Sequence, residues 1–271
     1  MKLAYTTLGC PEWTWERIVE ETVRMGYNGI EIRGLQGEMF VPKMTPFLEE
    51  NLAQTMADLQ ARGLSICCFD TSCRFDDEEK FDGFVEEGKA TIDLAARMGV
   101  PYIRVFGDRI PDPAKREEMI AQVARGMQAL SQHAEGKPVM VLMETHGDFA
   151  SSENLLAVAA QVESDRFGVL WDVANPVKYQ DTGESVSQTY TNLSKLVQHT
   201  HIKDTLGTGS NEKITLVGEG DVPIPECIDI LQQNGYDGWL SFEWEKKWHP
   251  TIEEPEVALP HFVEYMRGLA K

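Results

Sequence analysis

Residues 139–147 of the chain are VMVLMETHG, and their pattern recurs at the ends of later segments. The stretch begins with five consecutive apolar residues, and an apolar run this short, bounded by polar residues, is typical of a buried parallel strand. The run ends at Glu144, which is followed by Thr145 and His146. The carboxylate of Glu144 therefore lies where the strand leaves the core, and it requires a partner there because an unpaired buried charge is very costly.

Three later stretches repeat this design of a buried strand that ends in a polar, metal-ligating side chain. They are GVLWD with Asp172, HTHIKD with His201 and WLSFE with Glu243. Each follows the one before by the length of a helix and a loop, so parallel strands would carry all four side chains to the same edge of a sheet. The sequence therefore predicts that Glu144 and these three residues bind one metal ion.

The rest of the chain alternates between strand-like and helix-like segments in the same way. Strict alternation predicts parallel strands with right-handed crossovers. Eight such units predict an α/β fold, a (β/α)₈ TIM barrel with a single domain that covers residues 1–271. A doubly wound parallel sheet is the alternative, although no G-x-G-x-x-G or Walker loop follows the first strand. The predicted strands are 2–6, 29–33, 64–69, 102–106, 139–143, 167–171, 197–202 and 239–242.

Several boundaries are predicted from individual residues. The second helix is expected at 46–62, and residues 70–80 are expected to form a polar loop. Ser152 is the predicted cap of the helix after the fifth strand. The last helix, 256–269, is expected to be interrupted near Pro260, because proline removes a backbone hydrogen bond.

The composition limits the partners of the chain. The 271 residues carry a formal net charge of −19, and such an acidic surface repels phosphate backbones and anionic lipids. We therefore expect no nucleic-acid partner and no membrane partner, and no apolar run approaches the length of about 18 residues typical of a membrane span. The five cysteines form no C-x-x-C pair, and no apolar signal segment is evident, so we expect free thiols and a cytoplasmic location.

Three carboxylates and one imidazole form a mainly hard, oxygen-rich ligand set. Such a set suits Mn²⁺ or Mg²⁺ first, and then Co²⁺, Fe²⁺ or Zn²⁺. His199 lies two residues before His201 and points to the same side of the strand. His201 is the preferred ligand because it lies nearer to the mouth of the barrel, beside the other predicted ligands.

Further polar residues near the predicted site are candidates for substrate contacts. A structural or solvated role is as consistent with the sequence as substrate binding for each of them. Trp244, Trp248 and His249 fit packing as well as stacking on a sugar, and the roles of Glu31 and Asp204 are equally open. The candidates for substrate binding are Arg33, Arg104, His146 and Lys203.

Several motifs resemble those of one known family. WDVANP, HTHIKD, VGEGDVP and SFEWE, together with the opening GCPEWTWERIVEETVRMGYNGIEIR, resemble the xylose isomerase-like TIM barrels known as sugar phosphate isomerases/epimerases. The resemblance covers essentially the whole chain, and HTHIKD, GEGDVP and FEWE are its most specific parts. It implies a divalent metal, commonly Mn²⁺, held by Glu144, Asp172, His201 and Glu243.

The resemblance also implies a chemistry. In the ketose epimerases of this family the two glutamate ligands perform acid/base work, which implies that Glu144 and Glu243 flank the reacting carbon. Those enzymes typically have a histidine three residues after the aspartate of strand six, whereas this chain has Asn175, a candidate substrate contact. The family includes ketose 3-epimerases, hydroxypyruvate isomerases, inosose and dehydroshikimate dehydratases, and enzymes acting on 3-keto-glycosides.

The predicted function is metal-dependent isomerisation or epimerisation of a keto-sugar or sugar derivative, keto-glycosides and sugar phosphates included. A proton is removed next to a carbonyl and returned through an enediolate that the metal stabilises. A lyase or dehydratase that acts on a keto-sugar, keto-inositol or keto-glycoside is the alternative, since the same enediolate can expel a β-substituent. A non-catalytic sugar-binding barrel and an endonuclease IV-like nuclease are weaker alternatives, and the charge disfavours the nuclease. The expected partner is a small-molecule carbohydrate, and a homo-oligomer is left open.

Overall fold

Eight parallel strands close into a barrel in this computed structural model, which describes residues 1–179 and 183–269. Neighbouring barrel strands follow one another in the chain and helices lie between them, so the predicted (β/α)₈ TIM barrel is confirmed. The barrel strands are β1 (Lys2–Thr6), β2 (Gly29–Ile32), β3 (Ser65–Arg74), β4 (Tyr102–Phe106), β5 (Met140–Glu144), β6 (Phe167–Asp172), β7 (Val197–Ile202) and β10 (Trp239–Phe242).

The helices begin and end at local signals in the sequence. They are α1 (Trp15–Met25), α2 (Glu49–Ala61), α3 (Phe81–Met98), α4 (Arg116–Ala134), α5 (Ser152–Ala159), α6 (Asn175–Lys178), α7 (Val186–Leu193), α8 (Ile224–Gln233) and α9 (Pro255–Leu269). Thr14 caps α1, because its side-chain oxygen accepts a hydrogen bond from the backbone N–H of Arg17. Gly26 ends α1 with a left-handed backbone conformation, φ 81°, that residues with a Cβ rarely adopt.

The barrel strands are apolar because they are covered on both faces. Every residue of β2 and of β6 is buried. One face of a parallel barrel strand packs inside the barrel and the other packs against the helices, so strands of this kind consist largely of apolar residues. The polar side chains at the strand ends therefore project from a rigid, close-packed frame.

The pairing register brings polar residues of neighbouring strands side by side. Asp172 on β6 pairs with His201 on β7, and His201 also pairs with Ser241 on β10. The β6–β7 register shifts by one residue just after Val169. Without this shift Asp172 would lie opposite Thr200, whose side chain points to the other face of the sheet, so the irregularity positions the site.

β3 is longer than the sequence suggested. The strand continues to Arg74, so the predicted loop at 70–80 is wrong for its first five residues. A register shift between Asp70 and Arg74 allows the pairing with β4 to resume after a bulge. Polar side chains in this part of β3 form hydrogen bonds inside the protein. The Thr71 hydroxyl, for example, donates to the backbone oxygen of Arg104 at 2.8 Å.

Three helix boundaries also differ from the prediction. α2 begins at Glu49, because Pro46 belongs to a separate 3₁₀ turn. Ser152 is the first residue of α5 and not its cap, and its hydroxyl donates to Glu184 Oε1 at 2.9 Å. α9 continues through Pro260 and keeps a buried apolar face on both sides of it, so the loss of one backbone hydrogen bond does not end the helix.

A short antiparallel hairpin follows β7 at the carboxyl end of the barrel. Its strands are β8 (Asp204–Leu206) and β9 (Lys213–Thr215). The sequence did not predict it, because strands of three residues are too short to show a hydrophobic alternation.

All five cysteines are buried free thiols, as expected. No helix within 1–179 or 183–269 has both the length and the apolar character needed to cross a bilayer.

Candidate metal centre

The four predicted ligands meet at the carboxyl end of the barrel. Glu144, Asp172, His201 and Glu243 each offer one nitrogen or oxygen atom within 4.8 Å of the others. All four residues are buried, and Glu243 is the most exposed at 5%. The structure thus brings the predicted set together, while its role as a metal site stays a prediction.

The orientation of the His201 ring tests whether this group of atoms fits a cation. His201 Nε2 lies 3.0 Å from Glu31 Oε1, and since a carboxylate can only accept, the imidazole donates there. In the neutral tautomer, Nδ1 then carries a lone pair and lies 3.5 Å from Glu144 Oε1 and 3.3 Å from Glu243 Oε1. Three electron-rich atoms that face one another require either a proton or a metal ion between them, and a carboxylate behind the imidazole is typical of metal-binding histidines.

The protonation of the group leads to the same conclusion. Burial lowers the pKa of His201, but the carboxylates of Glu31, Glu243 and Glu144 outweigh burial and raise it well above its usual value. Burial raises the pKa of Asp172 to about 7, although Lys203 opposes this. The protein alone must therefore hold protons in this cluster, in the place that a divalent cation would take.

The Lys203 ammonium is paired with three carboxylates and neutralises part of the negative charge of the site. Its ammonium lies 3.0 Å from Asp172 Oδ2 and 2.8 Å from Glu243 Oε2, and it donates to Glu245 Oε1 at 3.0 Å. Glu245 was not among the predicted site residues, although it follows Glu243 by two positions, a spacing that places both on one side of an extended chain. Lys203 therefore holds two of the proposed metal ligands.

Arg104 also forms ion pairs with carboxylates. Its Nε lies 3.1 Å from Glu144 Oε2, its Nη2 lies 3.4 Å from Asp70 Oδ2, and its guanidinium packs over the ring of Phe106 at 4.0 Å. The residue is 1% exposed. The predicted substrate contact thus lies beneath Glu144, where it orients the carboxylate.

Glu31 lies below the site and connects two imidazoles. Its two oxygens lie 2.9 Å from His199 Nε2 and 3.0 Å from His201 Nε2. Two other groups of possible ligand atoms, which include Cys67 and Cys68, share this same carboxylate. In both groups the Glu31 oxygens already accept hydrogen bonds from the two imidazoles. The alternation of GIEIR was the sequence signal that Glu31 points inward.

His146 and Asn175 lie beside the site and have partners of their own. His146 Nδ1 lies 3.0 Å from Asp108 Oδ1. The side-chain amide of Asn175 donates to the backbone oxygen of Thr145 at 2.9 Å, and its backbone N–H donates to Asp172 Oδ1 at 2.9 Å. Asp108, which the sequence did not single out, thus orients the imidazole, while Asn175 supports Asp172.

A cavity of about 650 Å³ adjoins the centre. It is lined by His146, Asn175 and Lys203, by residues of the hairpin, and by Glu245, His249 and residues 251–253. Trp244 is fully buried and packs against Phe242, which favours the packing role for this tryptophan. His249 faces the cavity. The volume is within the range of small-molecule sites.

Arg33 differs from the other basic candidates. It is 9% exposed, and no described residue forms a hydrogen bond or an ion pair with its guanidinium. Burial and the positive charge of Arg104 lower its pKa to about 10. It is therefore a buried cation without a protein partner among residues 1–179 and 183–269.

Comparison with known sequences shows which proteins this chain resembles. Residues 19–268 match the family described as xylose isomerase-like TIM barrel. Fructoselysine 3-epimerase from Shigella flexneri is 22% identical over 281 residues, which cover 99% of this chain and 98% of that protein. Inosose dehydratase from Clostridium botulinum is 24% identical over 273 residues, which cover 90% of this chain and 86% of that protein.

Comparison with solved structures confirms the fold. An IOLI protein crystallised with a zinc atom has a TM-score of 0.81 at 17% identity, covering 99% of this chain and 98% of its own. The 3-keto-D-glucoside 4-epimerase YcjR from E. coli has a TM-score of 0.76 at 16% identity, with coverage of 100% and 99%. A TIM barrel protein from Mycobacterium smegmatis in complex with magnesium has a TM-score of 0.72 at 16% identity, with coverage of 99% and 96%.

Proposed function

Because the chain belongs to the xylose isomerase-like TIM barrel family, we propose that it is a divalent-metal-dependent epimerase or isomerase of a keto-sugar or sugar derivative. The observation that carries the proposal is the convergence of four buried ligand atoms beside a cavity of sugar size. The names of two relatives, fructoselysine 3-epimerase and 3-keto-D-glucoside 4-epimerase, support epimerisation of a sugar derivative.

Glu144 and Glu243 supply the acid and the base in this proposal. Epimerisation next to a carbonyl requires one group that removes a proton and one that returns it to the opposite face. β6 and β7 separate the strands that carry the two glutamates, so their carboxylates approach the intervening space from two sides. A bound divalent cation would polarise the carbonyl and the adjacent hydroxyl of the sugar.

The residues around the two glutamates keep them in place. Lys203 holds Glu243 by an ion pair of 2.8 Å, and Arg104 holds Glu144 by one of 3.1 Å. His146, which Asp108 orients, and Asn175 line the cavity on the substrate side. In the proposal, the second nitrogen of the imidazole contacts a substrate oxygen and Asn175 supports the wall that the sugar lies against.

Solvent-deuterium exchange tests the proposal. The Mn²⁺-loaded protein is incubated in heavy water with a panel of ketoses, keto-glycosides and sugar phosphates, and the products are followed by NMR. We expect deuterium at one stereocentre of an epimeric product. Glu144→Gln and Glu243→Gln should each lower the rate by about 10²-fold or more, since an amide cannot accept the proton. Glu153→Gln is the control, because the side chain of Glu153 is 83% exposed and pairs with Arg116.

The same experiment separates the proposal from its rivals. A dehydratase, which the relative named inosose dehydratase supports as a second candidate, would release water and leave a new carbon–carbon double bond. A sugar-binding barrel would be stabilised by a sugar without exchanging its protons. If the two glutamine variants keep the wild-type exchange rate, Glu144 and Glu243 are not the acid and the base.

A further inference from the structure

Arg33 carries a positive charge that the described protein does not neutralise. An arginine side chain has five N–H donors and stays protonated, so in a folded protein it normally faces carboxylates or carbonyl oxygens. Arg33 Nη1 is buried and has no partner among the described residues. A buried, unpaired guanidinium is costly, and a ligand that supplies acceptor oxygens would remove that cost.

Two other buried basic groups at this end of the barrel, Arg104 and Lys203, are already paired. Asp70 and Glu144 lie against Arg104, whereas Asp172, Glu243 and Glu245 surround Lys203. These carboxylates therefore pair with other basic groups and form no ion pair with Arg33. Glu87, which also attracts Arg33 at longer range, accepts the backbone N–H of Ser72 at 2.6 Å.

The position of Arg33 relative to the proposed metal ligands follows from the strand order. Arg33 directly follows β2, and four strand steps around the barrel in either direction lead from β2 to β6, which ends in Asp172. Arg33 therefore lies across the mouth of the barrel from Asp172. The charges of Glu144 and Asp70 act on its guanidinium, which is consistent with a location at this mouth.

We infer that Arg33 binds an anionic oxygen group of the substrate, a carboxylate or a phosphate, at the end of the molecule away from the reacting carbon. The guanidinium fork matches the paired oxygens of both groups. The inference rests on the proposed function for the sugar part of the ligand, but the anion site itself does not. It narrows the substrate to an acidic sugar derivative.

Anion binding is the first test and does not depend on catalysis. Thermal unfolding of the metal-loaded protein is measured with inorganic phosphate, D-glucuronate or D-glucose, for wild type and for Arg33→Met. We expect phosphate or glucuronate to raise the melting temperature of wild type but not of Arg33→Met, and glucose to affect both equally. An anion that binds only the metal would stabilise both proteins, so the difference between them isolates Arg33. Arg109→Met, an exposed arginine at the same end of the barrel, is the control.

The unliganded variant separates a binding role from a structural one. If Arg33 is unpaired, replacing it by methionine removes a buried charge and leaves the melting temperature unchanged or higher. A structural arginine would instead lower the melting temperature on replacement, and that result would overturn the inference. Equal anion stabilisation of wild type and Arg33→Met, or no stabilisation by either anion, would overturn it as well.

Turnover is the second test. Deuterium exchange should be fastest with the substrate that carries the preferred anion, and Arg33→Met should lower kcat/KM for it by at least about 30-fold. Exchange that Arg33→Met leaves unchanged overturns the inference and leaves the proposed function intact. Arg33-dependent anion binding in a protein that exchanges no proton of any sugar supports the anion site and overturns the proposed function.

Discussion

Glu31 shows how one buried residue determines the geometry of the candidate metal centre. Burial opposes ionisation of its carboxyl group, but His199 and His201 hold its pKa well below the usual value. The resulting carboxylate fixes the His201 ring by accepting from Nε2, which leaves Nδ1 facing Glu144 and Glu243. A residue outside the proposed ligand set thus decides which nitrogen of His201 faces that set.

Glu31→Gln is expected to weaken metal binding without unfolding the protein. The amide replaces one carboxylate oxygen by an NH₂ donor, so one of the two imidazoles loses the oxygen that it faces. We expect Mn²⁺ affinity to fall by about 10- to 100-fold, measured by competition with a chelator. Glu87→Gln is the control, because its amide oxygen can still accept the Ser72 N–H. Equal affinities of Glu31→Gln and wild type would refute the positioning role.

Lys203→Met tests the electrostatic balance of the same cluster. The change leaves the carboxylates of Asp172, Glu243 and Glu245 without their shared cation. In the presence of a chelator, the free energy of unfolding should fall by about 3 kcal/mol or more, and added Mn²⁺ should restore part of it. Urea unfolding with and without the metal measures both effects. Lys80→Met is the control, since Lys80 forms an exposed pair with Asp77; equal losses in the two variants would contradict the argument.

The sequence predicted which residues gather at the site but not how they pair. A strand end and a period of two were sufficient to place Glu144, Asp172, His201 and Glu243 at one edge of the barrel. The same rules could not show that Arg104 faces Glu144 and is buried beneath it. Pairing depends on side-chain conformations across neighbouring strands, which local sequence patterns do not contain.

Among the elements, the VGEGDVP loop is held in place by a single carboxylate. The Asp204 carboxylate accepts hydrogen bonds from the backbone N–H groups of Gly218, Gly220 and Val222 at 2.9, 3.0 and 3.1 Å. A Cβ on Gly220 would lie 2.1 Å from Asp204 Oδ1, so only glycine fits there. A glycine-rich loop can hold a phosphate through its N–H groups, but these are engaged by the protein itself.

Asp204→Asn should loosen this loop and the hairpin that begins at Asp204. Replacing one carboxylate oxygen by an NH₂ group sets a donor against backbone donors. We expect hydrogen exchange of residues 217–222 to accelerate by at least about tenfold while the barrel strands keep their protection. Asp229→Asn on the exposed side of α8 is the control. Unchanged exchange at 217–222 would show that the three hydrogen bonds do not hold the loop.

The strands and helices show which structural information is local. β7 and β10 begin and end where the sequence predicted, and each ends at an apolar residue that a charged residue follows. β3 extends five residues further because polar side chains within it find partners on β4, which is tertiary information. The register shift between β6 and β7 has the same origin, and it decides that Asp172 faces His201.

At the scale of the whole molecule, repetition made the fold predictable. Eight alternating units define the barrel even when individual boundaries are displaced by a few residues, because topology depends on the order of elements and not on their exact ends. Side-chain pairing has no such redundancy, since it depends on single contacts such as that between Glu31 and His201. The architecture and the predicted ligand set could therefore be predicted from sequence patterns. Only the structure shows which charged side chains are already paired within the protein and which are not.

Metal removal tests the centre through the stability of the whole chain. A ligand that binds only the folded state stabilises it in proportion to the logarithm of its concentration, by about 2.7 kcal/mol at 100 times Kd. Adding Mn²⁺ to chelator-treated protein should therefore raise the melting temperature by about 5 °C or more. Mg²⁺, Co²⁺, Fe²⁺ and Zn²⁺ in parallel rank the ions by the same readout.

Asp172→Asn is the decisive variant for this measurement. It removes one proposed ligand without touching the two glutamates, so a lost metal response cannot be attributed to lost acid/base chemistry. We expect the variant to show little or no rise in melting temperature with Mn²⁺, whereas Asp93→Asn, a substitution on the exposed part of α3, should respond as wild type does. A wild-type protein that none of the five cations stabilises, or an Asp172→Asn variant that keeps the full response, would show that the cation binds elsewhere or not at all. The four convergent side chains would then be a buried network held together by protons and by Lys203.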